Sequence, residues 1–385
     1  MSSFSFNTTR SIVVEAGASA RLSGIVKPLL GDRILLVTDA GLLRLGLLAP
    51  ALASLAGAGV EVAIFDGVEA DPPEANIADG VARAKAHEAT GVLAIGGGSP
   101  MDVAKLVALV TGSGERPQDI YGVGLAKGPR LPLALVPTTA GTGSEVTPIA
   151  IVTTGSAEKK GVVSPLLLPD LAVLDADLTL GLPPAVTAAT GIDAMVHAIE
   201  AFTSASPNNN PVSRALAREA LRLLGAHIRA ATHEGGNREA RQKMLLGSLL
   251  AGQAFANSPV AAVHALAYPI GGHFHVPHGL SNALVLPQVL HFNREVVGEA
   301  YAEIAPDLFP GLAERPVKER TDGLIEGLRR LSRELGLPQG LGAVGIGPEV
   351  LPMLAQDAMK QTRLLANNPR PLTEADALAI YEAAF

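Results

Sequence analysis

Short apolar runs alternate with helical stretches through the first half of the chain. The runs are rich in β-branched residues and mostly continuous, which is typical of parallel strands that are covered on both faces. The stretches between them fit crossover helices, so the pattern predicts an open α/β sheet. The predicted strands are 12–15, 33–38, 60–65, 91–95, 131–136 and 171–174, and the predicted helices are 41–58, 74–88 and 100–112.

The pattern of apolar residues changes after Pro183 and Pro184, and few segments beyond this point resemble β-strands. Ser258-Pro259 and Thr373-Glu374 are typical helix starts. The sequence therefore predicts a Rossmann-like parallel-sheet domain over residues 1–184, followed by an all-helical domain over 185–385. The predicted helices of the second half are 211–231, 237–257, 259–268, 293–305, 318–335 and 373–384.

Composition narrows the class of protein. The 385 residues are 48% hydrophobic and 17% charged, with a net charge of −7, which argues against a nucleic-acid partner. The absence of cysteine excludes disulfides, Cys-ligated zinc and thiolate nucleophiles. The first ten residues lack the features of a secretory signal. Residues 244–293 contain no Asp, Glu, Lys or Arg, but four prolines interrupt them, which argues against a membrane-spanning helix. We therefore expect a cytoplasmic protein without a membrane partner.

Two glycine-rich loops follow predicted strands. In Gly96–Asp102, Ser99 is expected to cap the next helix, with Pro100 at its first position and Asp102 at its third. Such a helix start can hold a phosphate, although an ordinary strand-to-helix turn has the same composition. The second loop, 137–147, is rich in hydroxyls and glycine and lies where ligands bind in open α/β sheets.

Asp39 directly follows the predicted strand 33–38. A carboxylate there can accept hydrogen bonds from ribose hydroxyls and would repel a 2′-phosphate, or it can simply form a turn. Residues 122–128 miss the dinucleotide glycine spacing, no predicted strand leads into them, and the chain contains no Walker A motif.

Four residues of the second half are candidate metal ligands. Asp193 and His197 stand four residues apart, so a helix would place both on one face, and His264 and His278 follow later. This mixed oxygen and nitrogen set suits Fe²⁺, Zn²⁺, Co²⁺ or Mn²⁺, and such an ion can act as a Lewis acid. Glu200 is either a partner of a ligating imidazole or a solvent-facing or ion-paired carboxylate.

These segments resemble the iron-containing (group III) alcohol dehydrogenases. The matching motifs are 96–105, 137–147, 191–202 and 264–279, in the family's order and spacing. The resemblance implies the dehydroquinate-synthase-like architecture, with a metal, Fe²⁺ or alternatively Zn²⁺, in a cleft between a dinucleotide domain and a helical domain. It implies Asp193, His197, His264 and His278 as ligands, and NAD bound by Asp39, Gly97, Gly98, Ser99, Asp102, Thr138, Thr139, Thr147, Lys160 and the stretch Thr179 to Pro183.

The expected activity is hydride transfer between NAD(H) and a small alcohol or aldehyde. His278 and Tyr268 are the candidate catalytic residues, and Tyr268 stands where many family members have a histidine, so it could relay a proton or only pack. His273 and His275 line the cleft or lie on the surface. Two alternatives remain: a dehydroquinate-synthase-like lyase that uses metal and NAD, and a non-catalytic metal-binding homologue. A homodimer or higher oligomer is expected, with the opening segment 4–14 pairing between subunits.

Overall fold

The computed structural model describes residues 3–155 and 158–385, and these divide into two compact units. One unit is Asn7–Gly181, and the other joins residues 3–6 to Leu182–Phe385. The domain boundary predicted at residue 184 lies close to this division and stays a prediction.

A six-stranded, fully parallel sheet forms the centre of the first unit, as predicted. The strands are β1 Ser11–Val14, β2 Arg33–Val37, β3 Glu61–Phe65, β4 Gly91–Gly96, β6 Leu133–Pro137 and β9 Leu171–Leu174. Their order across the sheet is β1-β9-β6-β4-β2-β3. Alternate residues of one strand enter different apolar clusters: Leu35 and Val37 pack on one face, and Ile34 and Leu36 on the other. Both faces are thus covered, which explains the continuous apolar runs.

The helices of this unit flank the sheet. The predicted helix 41–58 is wrong as one element: it is two helices, because Gly46 takes a left-handed φ of 69° between them. The helices are α1 Leu22–Leu30, α2 Ala40–Arg44, α3 Ala49–Gly57, α4 Ala75–Ala86, α5 Gly98–Ser113 and α6 Pro117–Ile120.

A second, three-stranded sheet was not predicted. It has the order β5-β8-β7, from β5 Gly122–Val123, β7 Ile149–Thr154 and β8 Glu158–Val163. Strand β5 lies inside the glycine-rich stretch 122–128, to which the sequence assigned no strand.

Residues 182–385, all of which are described, contain no strand, so the predicted all-helical second half is confirmed. The helix start predicted at Ser258-Pro259 is wrong, because that helix begins at Ala262. The start predicted at Thr373-Glu374 is confirmed: Thr373 is the N-cap of the last helix and forms a capping box with Asp376. The helices are α7 Pro184–Thr203, α8 Pro211–His233, α9 Arg238–Asn257, α10 Ala262–Phe274, α11 His278–Leu308, α12 Val317–Glu334, α13 Leu351–Ala358, α14 Thr362–Leu365 and α15 Glu374–Ala383.

Helix α11 is far longer than the predicted 293–305 and includes Pro287 and Pro306. It is bent at Val297, whose φ and ψ of −119° and 23° are not helical. No helix of the described chain is long and apolar enough to cross a bilayer.

Candidate functional site

Helix α7 supplies two of the candidate ligands. It is buried along most of its length, and Asp193 and His197 lie one turn apart on it with only 2% and 5% of their surface exposed. The i, i+4 spacing therefore places a carboxylate and an imidazole together in the interior, as the sequence predicted.

Helices α10 and α11 bring the other two. One possible ligand atom from each of Asp193, His197, His264 and His278 lies within 4.8 Å of all the others. Nε2 of His264 lies 4.0 Å from Oδ1 of Asp193, and Nε2 of His278 lies 3.7 Å from the same oxygen. His278 is the one exposed member, with 42% of its side chain accessible, so the group opens to solvent on that side.

Gly279 permits the close packing of α11 on α7. A Cβ at this position would lie 2.5 Å from the carbonyl oxygen of Ala189 and 3.2 Å from Cβ of Asp193. No other residue type fits such a contact, so this glycine fixes how near His278 stands to Asp193.

Glu200 orients His264. Its Oε2 accepts a hydrogen bond from Nδ1 of His264 at 2.7 Å, and its Oε1 accepts one from the backbone N–H of Val263, also at 2.7 Å. With the proton on Nδ1, the lone pair of Nε2 faces the candidate ligand group. Of the two roles that the sequence left open for Glu200, the structure supports the partner of an imidazole, on His264. The ring of Phe255 stacks on His197 with centroids 4.3 Å apart.

The charge of Asp193 has no permanent counter-ion. Burial raises the pKa of this carboxyl group, but the imidazoles of His197, His278 and His264 together lower it by more than burial raises it. The net shift of the pKa is therefore downward. No Lys or Arg of the described residues forms an ion pair with Asp193. A buried carboxylate surrounded by imidazoles is a site for a divalent cation, because an unpaired buried charge is otherwise costly. The donor set therefore fits the metal that the sequence predicted.

Asn282 is part of this group, and sequence reasoning missed it. It is fully buried, and its Nδ2 donates to Oδ1 of Asp193 at 2.5 Å. The same nitrogen lies 3.3 Å from Nε2 of His278 and 3.4 Å from Nε2 of His264. The available signal was its position four residues after His278, the spacing that relates Asp193 to His197.

Tyr268, His273 and His275 were also predicted to lie at or near the site, and only Tyr268 has a recorded contact with one of the four candidate ligands. The ring of Tyr268 tilts towards His278, with centroids 5.9 Å apart. His273 instead pairs with Asp357 at 2.6 Å, and His275 ends α10 in the left-handed region with a φ of 54°. Neither histidine belongs to the four-residue group, and a catalytic role of Tyr268 stays a prediction.

The first glycine-rich loop links β4 to α5 as expected, but its cap differs. The N-cap is Gly97 and the helix begins at Gly98, so the prediction that Ser99 is the N-cap is wrong. The chain turns directly after β4 ends at Gly96, two residues earlier than expected. A Cβ on Gly98 would lie 2.9 Å from Cγ2 of Thr142, so the two predicted loops touch each other.

Asp102 was expected to cap α5, and this prediction is also wrong, since its carboxylate binds the second loop. Its Oδ1 accepts a hydrogen bond from the Ser144 hydroxyl at 2.6 Å, and its Oδ2 accepts one from the N–H of Ile151 at 2.9 Å. The physical reason is the early start of α5, which turns Asp102 from the helix end towards residues 144–151.

Lys105 completes this connection from one turn further along α5. It is fully buried, and its Nζ donates to the hydroxyls of Ser144 and Thr147 at 2.8 and 3.1 Å and to the carbonyl of Ile149 at 2.8 Å. Burial lowers the pKa of Lys105 to about 8, and burial raises the pKa of the neighbouring Glu145 to about 7. Asp102 and Lys105 of the first motif therefore bind hydroxyl and backbone groups of the second loop and of the strand that follows it.

Some other predicted cofactor contacts are also engaged within the protein. Asp39 caps α2 by accepting the N–H of Leu42 at 3.0 Å, and Thr179 donates its hydroxyl to the carbonyl of Ala176 at 2.8 Å. Nζ of Lys160 lies 5.8 Å from the centroid of the Tyr121 ring. Thr138 follows β6 and donates its backbone N–H to Gly96, Thr139 lies next to Gly97, and Pro183 caps α7. Their roles towards a cofactor stay predictions.

Comparison with known proteins identifies the family. The model of "Iron-containing alcohol dehydrogenase" matches residues 9–176, and that of "Fe-containing alcohol dehydrogenase family, C-terminal" matches residues 187–385. The chain belongs to the iron-containing alcohol dehydrogenase family, which confirms the resemblance of its motifs.

Individual relatives align along nearly the whole chain. Long-chain-alcohol dehydrogenase 1 of Geobacillus thermodenitrificans is 41% identical over 372 residues, covering 96% of this chain and 93% of that protein. Sulfoacetaldehyde reductase of Bilophila wadsworthia is 37% identical over 383 residues, or 98% of each chain. The crystal structure of a 1,3-propanediol oxidoreductase superposes with a TM-score of 0.95 at 36% identity and full coverage of both chains. The chain is thus similar to oxidoreductases throughout its length.

Proposed function

We propose that this enzyme transfers a hydride between NAD(H) and a small alcohol or aldehyde, and that a divalent metal held by Asp193, His197, His264 and His278 assists the reaction. The observation that carries the proposal is the buried Asp-His-His-His group, which opens to solvent at His278. The names of the relatives, which include a long-chain-alcohol dehydrogenase and a sulfoacetaldehyde reductase, support substrates of the alcohol and aldehyde class.

Each ligand would have a defined part in this centre. Asp193 supplies the negative charge, and His264 is oriented by Glu200 so that Nε2 is unprotonated. The exposed side at His278 leaves room for a substrate oxygen to approach. A bound Fe²⁺ or Zn²⁺ would supply Lewis acidity, which lowers the pKa of an alcohol and polarises an aldehyde. Tyr268, beside His278, would exchange a proton with the substrate oxygen or with solvent.

The cofactor is proposed to bind at the glycine-rich loops of the first unit. The N-terminus of α5, preceded by Gly97, offers free backbone N–H groups to a pyrophosphate. Ser99, Thr138 and Thr139 would add hydroxyl donors there. Asp39 would accept from the ribose hydroxyls and disfavour a 2′-phosphate.

The decisive experiment loads metal-depleted protein separately with Fe²⁺ and Zn²⁺ and follows the absorbance of NADH with a panel of alcohols and aldehydes. We expect metal-dependent, reversible turnover with net formation or consumption of NADH. His278→Ala should lose both turnover and metal retention but keep its helical circular dichroism. Turnover of a verified metal-free His278→Ala protein would refute the metal assignment, and a reaction without net NADH change would favour the lyase alternative.

We also propose a homodimer or a higher oligomer. Strand β1 is the last strand of the six-stranded sheet and pairs with β9, which leaves its other edge available for a second chain. Light scattering at micromolar concentration should give at least twice the monomer mass, and removal of residues 1–14 should weaken the association. A monomer mass for the intact chain would disprove this proposal.

A further inference from the structure

The carboxamide of Asn282 stands among the lone pairs that a metal would use. Its Nδ2 donates to Oδ1 of Asp193 and lies within 3.4 Å of Nε2 of both His264 and His278. Three electron-pair donors therefore converge on one amide nitrogen. A nitrogen with two hydrogens is a suitable neighbour for acceptors alone, but it is repelled by a cation placed between them.

The oxygen of the same carboxamide makes no hydrogen bond within the described chain. Oδ1 of Asn282 is buried and has no hydrogen-bond partner among the described residues. Rotation about the last side-chain bond, which exchanges oxygen and nitrogen, therefore breaks no hydrogen bond at that end. The orientation is decided by the metal-binding end alone, since the terminal torsion of asparagine is broad and roughly two-fold.

We propose that Asn282 is a fifth residue of the metal centre, whose carboxamide turns so that its oxygen faces the cation when one binds. Without a cation the nitrogen faces inward and holds Asp193. With a cation the amide oxygen becomes the favourable neighbour, because carbonyl oxygens are ligands for Mn²⁺ and similar hard ions. This inference rests on the proposed function only in that the four-residue group must bind a metal.

The proposal has a consequence for metal preference. Zinc is satisfied by four tetrahedral ligands, whereas manganese accepts additional oxygens. An oxygen from Asn282 would therefore favour Mn²⁺ more than Zn²⁺. If Asn282 acted only by holding Asp193, both metals would depend on it equally.

The test compares the dissociation constants of Mn²⁺ and Zn²⁺, measured by titration of the metal-depleted full-length protein, for wild type, Asn282→Leu and Asn282→Asp. We expect Asn282→Leu to weaken Mn²⁺ binding by roughly 10–100-fold and Zn²⁺ binding by clearly less. Asn282→Asp keeps an oxygen and should bind Mn²⁺ at least as tightly as wild type. It should also gain more thermal stability from Mn²⁺ than wild type gains, because without metal it places two carboxylates together.

Asn293→Leu is the matched control. Asn293 is buried on the same helix but exchanges hydrogen bonds with Asn368, at 2.9 and 2.8 Å. It should leave both dissociation constants unchanged whatever it does to thermal stability. An Asn282→Leu protein that binds Mn²⁺ like wild type, or that loses both metals equally, would overturn the proposal. The proposal would also be overturned if Asn282→Asp bound Mn²⁺ as weakly as Asn282→Leu does, or if Asn293→Leu lost as much Mn²⁺ affinity as Asn282→Leu. A wild-type protein that binds neither metal would instead refute the metal centre itself.

Discussion

The two units of the molecule bury negative charge in different ways. In the sheet unit, Asp102 and Glu145 lie near Lys105, a cation that the chain itself provides. In the helical unit, Asp193 is as buried as Glu145, both being 2% exposed, whereas Asp102 is partly exposed. The neighbours of Asp193 are imidazoles and an amide, and the described residues supply it with no Lys or Arg. The first arrangement contains its own cation, although burial still raises the pKa values of Asp102 and Glu145, whereas the second consists of donor groups that can bind a cation from solution.

This difference distinguishes buried charges that stabilise the fold from buried donor groups that can bind a metal. Lys105 joins α5 to the loop that carries Ser144 and Thr147, so the buried charges of the sheet unit hold two motif loops together. The helical unit instead leaves lone pairs directed at a shared point, as a metal centre requires. Burial of a titratable residue inside a recognised motif therefore does not by itself identify a ligand contact, and a cofactor role of Asp102 stays a prediction.

The largest expected effect comes from removing the fixed cation. Lys105→Met leaves the buried Glu145 and the partly buried Asp102 beside an apolar side chain, and we expect a loss of about 3–5 kcal/mol in the free energy of unfolding. Lys360→Met is the control, because the side chain of Lys360 is 70% exposed where it pairs with Asp357, and its replacement should cost about 0–1 kcal/mol. Urea denaturation measures both. Equal stability of the two variants, or rescue of Lys105→Met by added metal, would contradict the comparison.

A smaller effect is expected at the partner of His264. Glu200→Gln keeps the size of the side chain but removes the charge that fixes the Nδ1 proton, so metal affinity should fall by roughly 10–100-fold. The control is Glu303→Gln, which changes a surface ion pair with Arg214 and Arg218 and should leave metal affinity unchanged. Competition with a chromophoric chelator gives both values. Unchanged metal affinity in Glu200→Gln would show that Glu200 does not tune the centre.

Glu145 provides a pH test of the sheet unit. Burial raises its pKa to about 7 from 4.5, so between these pH values the folded protein binds more protons at this site than the unfolded chain does. Its contribution to stability is therefore fully present below about pH 4.5 and is lost as pH rises through about 7. Glu145→Gln removes this dependence, so the stability of the variant relative to wild type should increase from pH 5 to pH 8. Urea denaturation curves at the two pH values check it, and a constant difference would contradict it.

The smallest effect is expected at Asp39, which caps α2 as well as being the proposed ribose contact. Asn caps helices about as well as Asp, so Asp39→Asn should preserve stability while removing the charge. Near a 2′-phosphate one charge is worth about 1 kcal/mol in water, so the ratio of kcat/KM for NADPH over NADH should rise roughly fivefold. Asp39→Gly should shift the ratio similarly. A wild-type enzyme that already prefers NADPH would disprove the assignment.

Much of the architecture was accessible from the sequence, because parallel strands covered on both faces are continuously apolar. Strand β9 has the predicted bounds, and β2 and β4 differ by one residue. The three-stranded sheet was missed because β5 has only two residues and β8 is half polar. Helix α11 was cut short because its first half is buried around much of its circumference and contains Pro287, which removes the amphipathic period.

The candidate site shows the same limit. The four possible ligands follow from helical spacing and motif order, and the structure brings them together. Asn282, Lys105 and the partner of Glu200 depend on which helices and loops meet, and no local pattern contains that information. Asp102 and Lys105 stand three residues apart on α5, a spacing that by itself is typical of an exposed ion pair. Only the structure shows that both side chains bind Ser144 of the second loop.

The contact at Gly279 also bears on the entropy of metal binding. Because no side chain stands between Gly279 and the carbonyl of Ala189, the backbones of α11 and α7 pack closely beside the four candidate ligands. The backbone positions of Asp193 and His278 are therefore fixed close together, and the conformational freedom that a bound cation would remove is mainly that of the exposed His278 side chain. The affinity of the centre can then reflect the ligands themselves, without a large ordering cost subtracted from it.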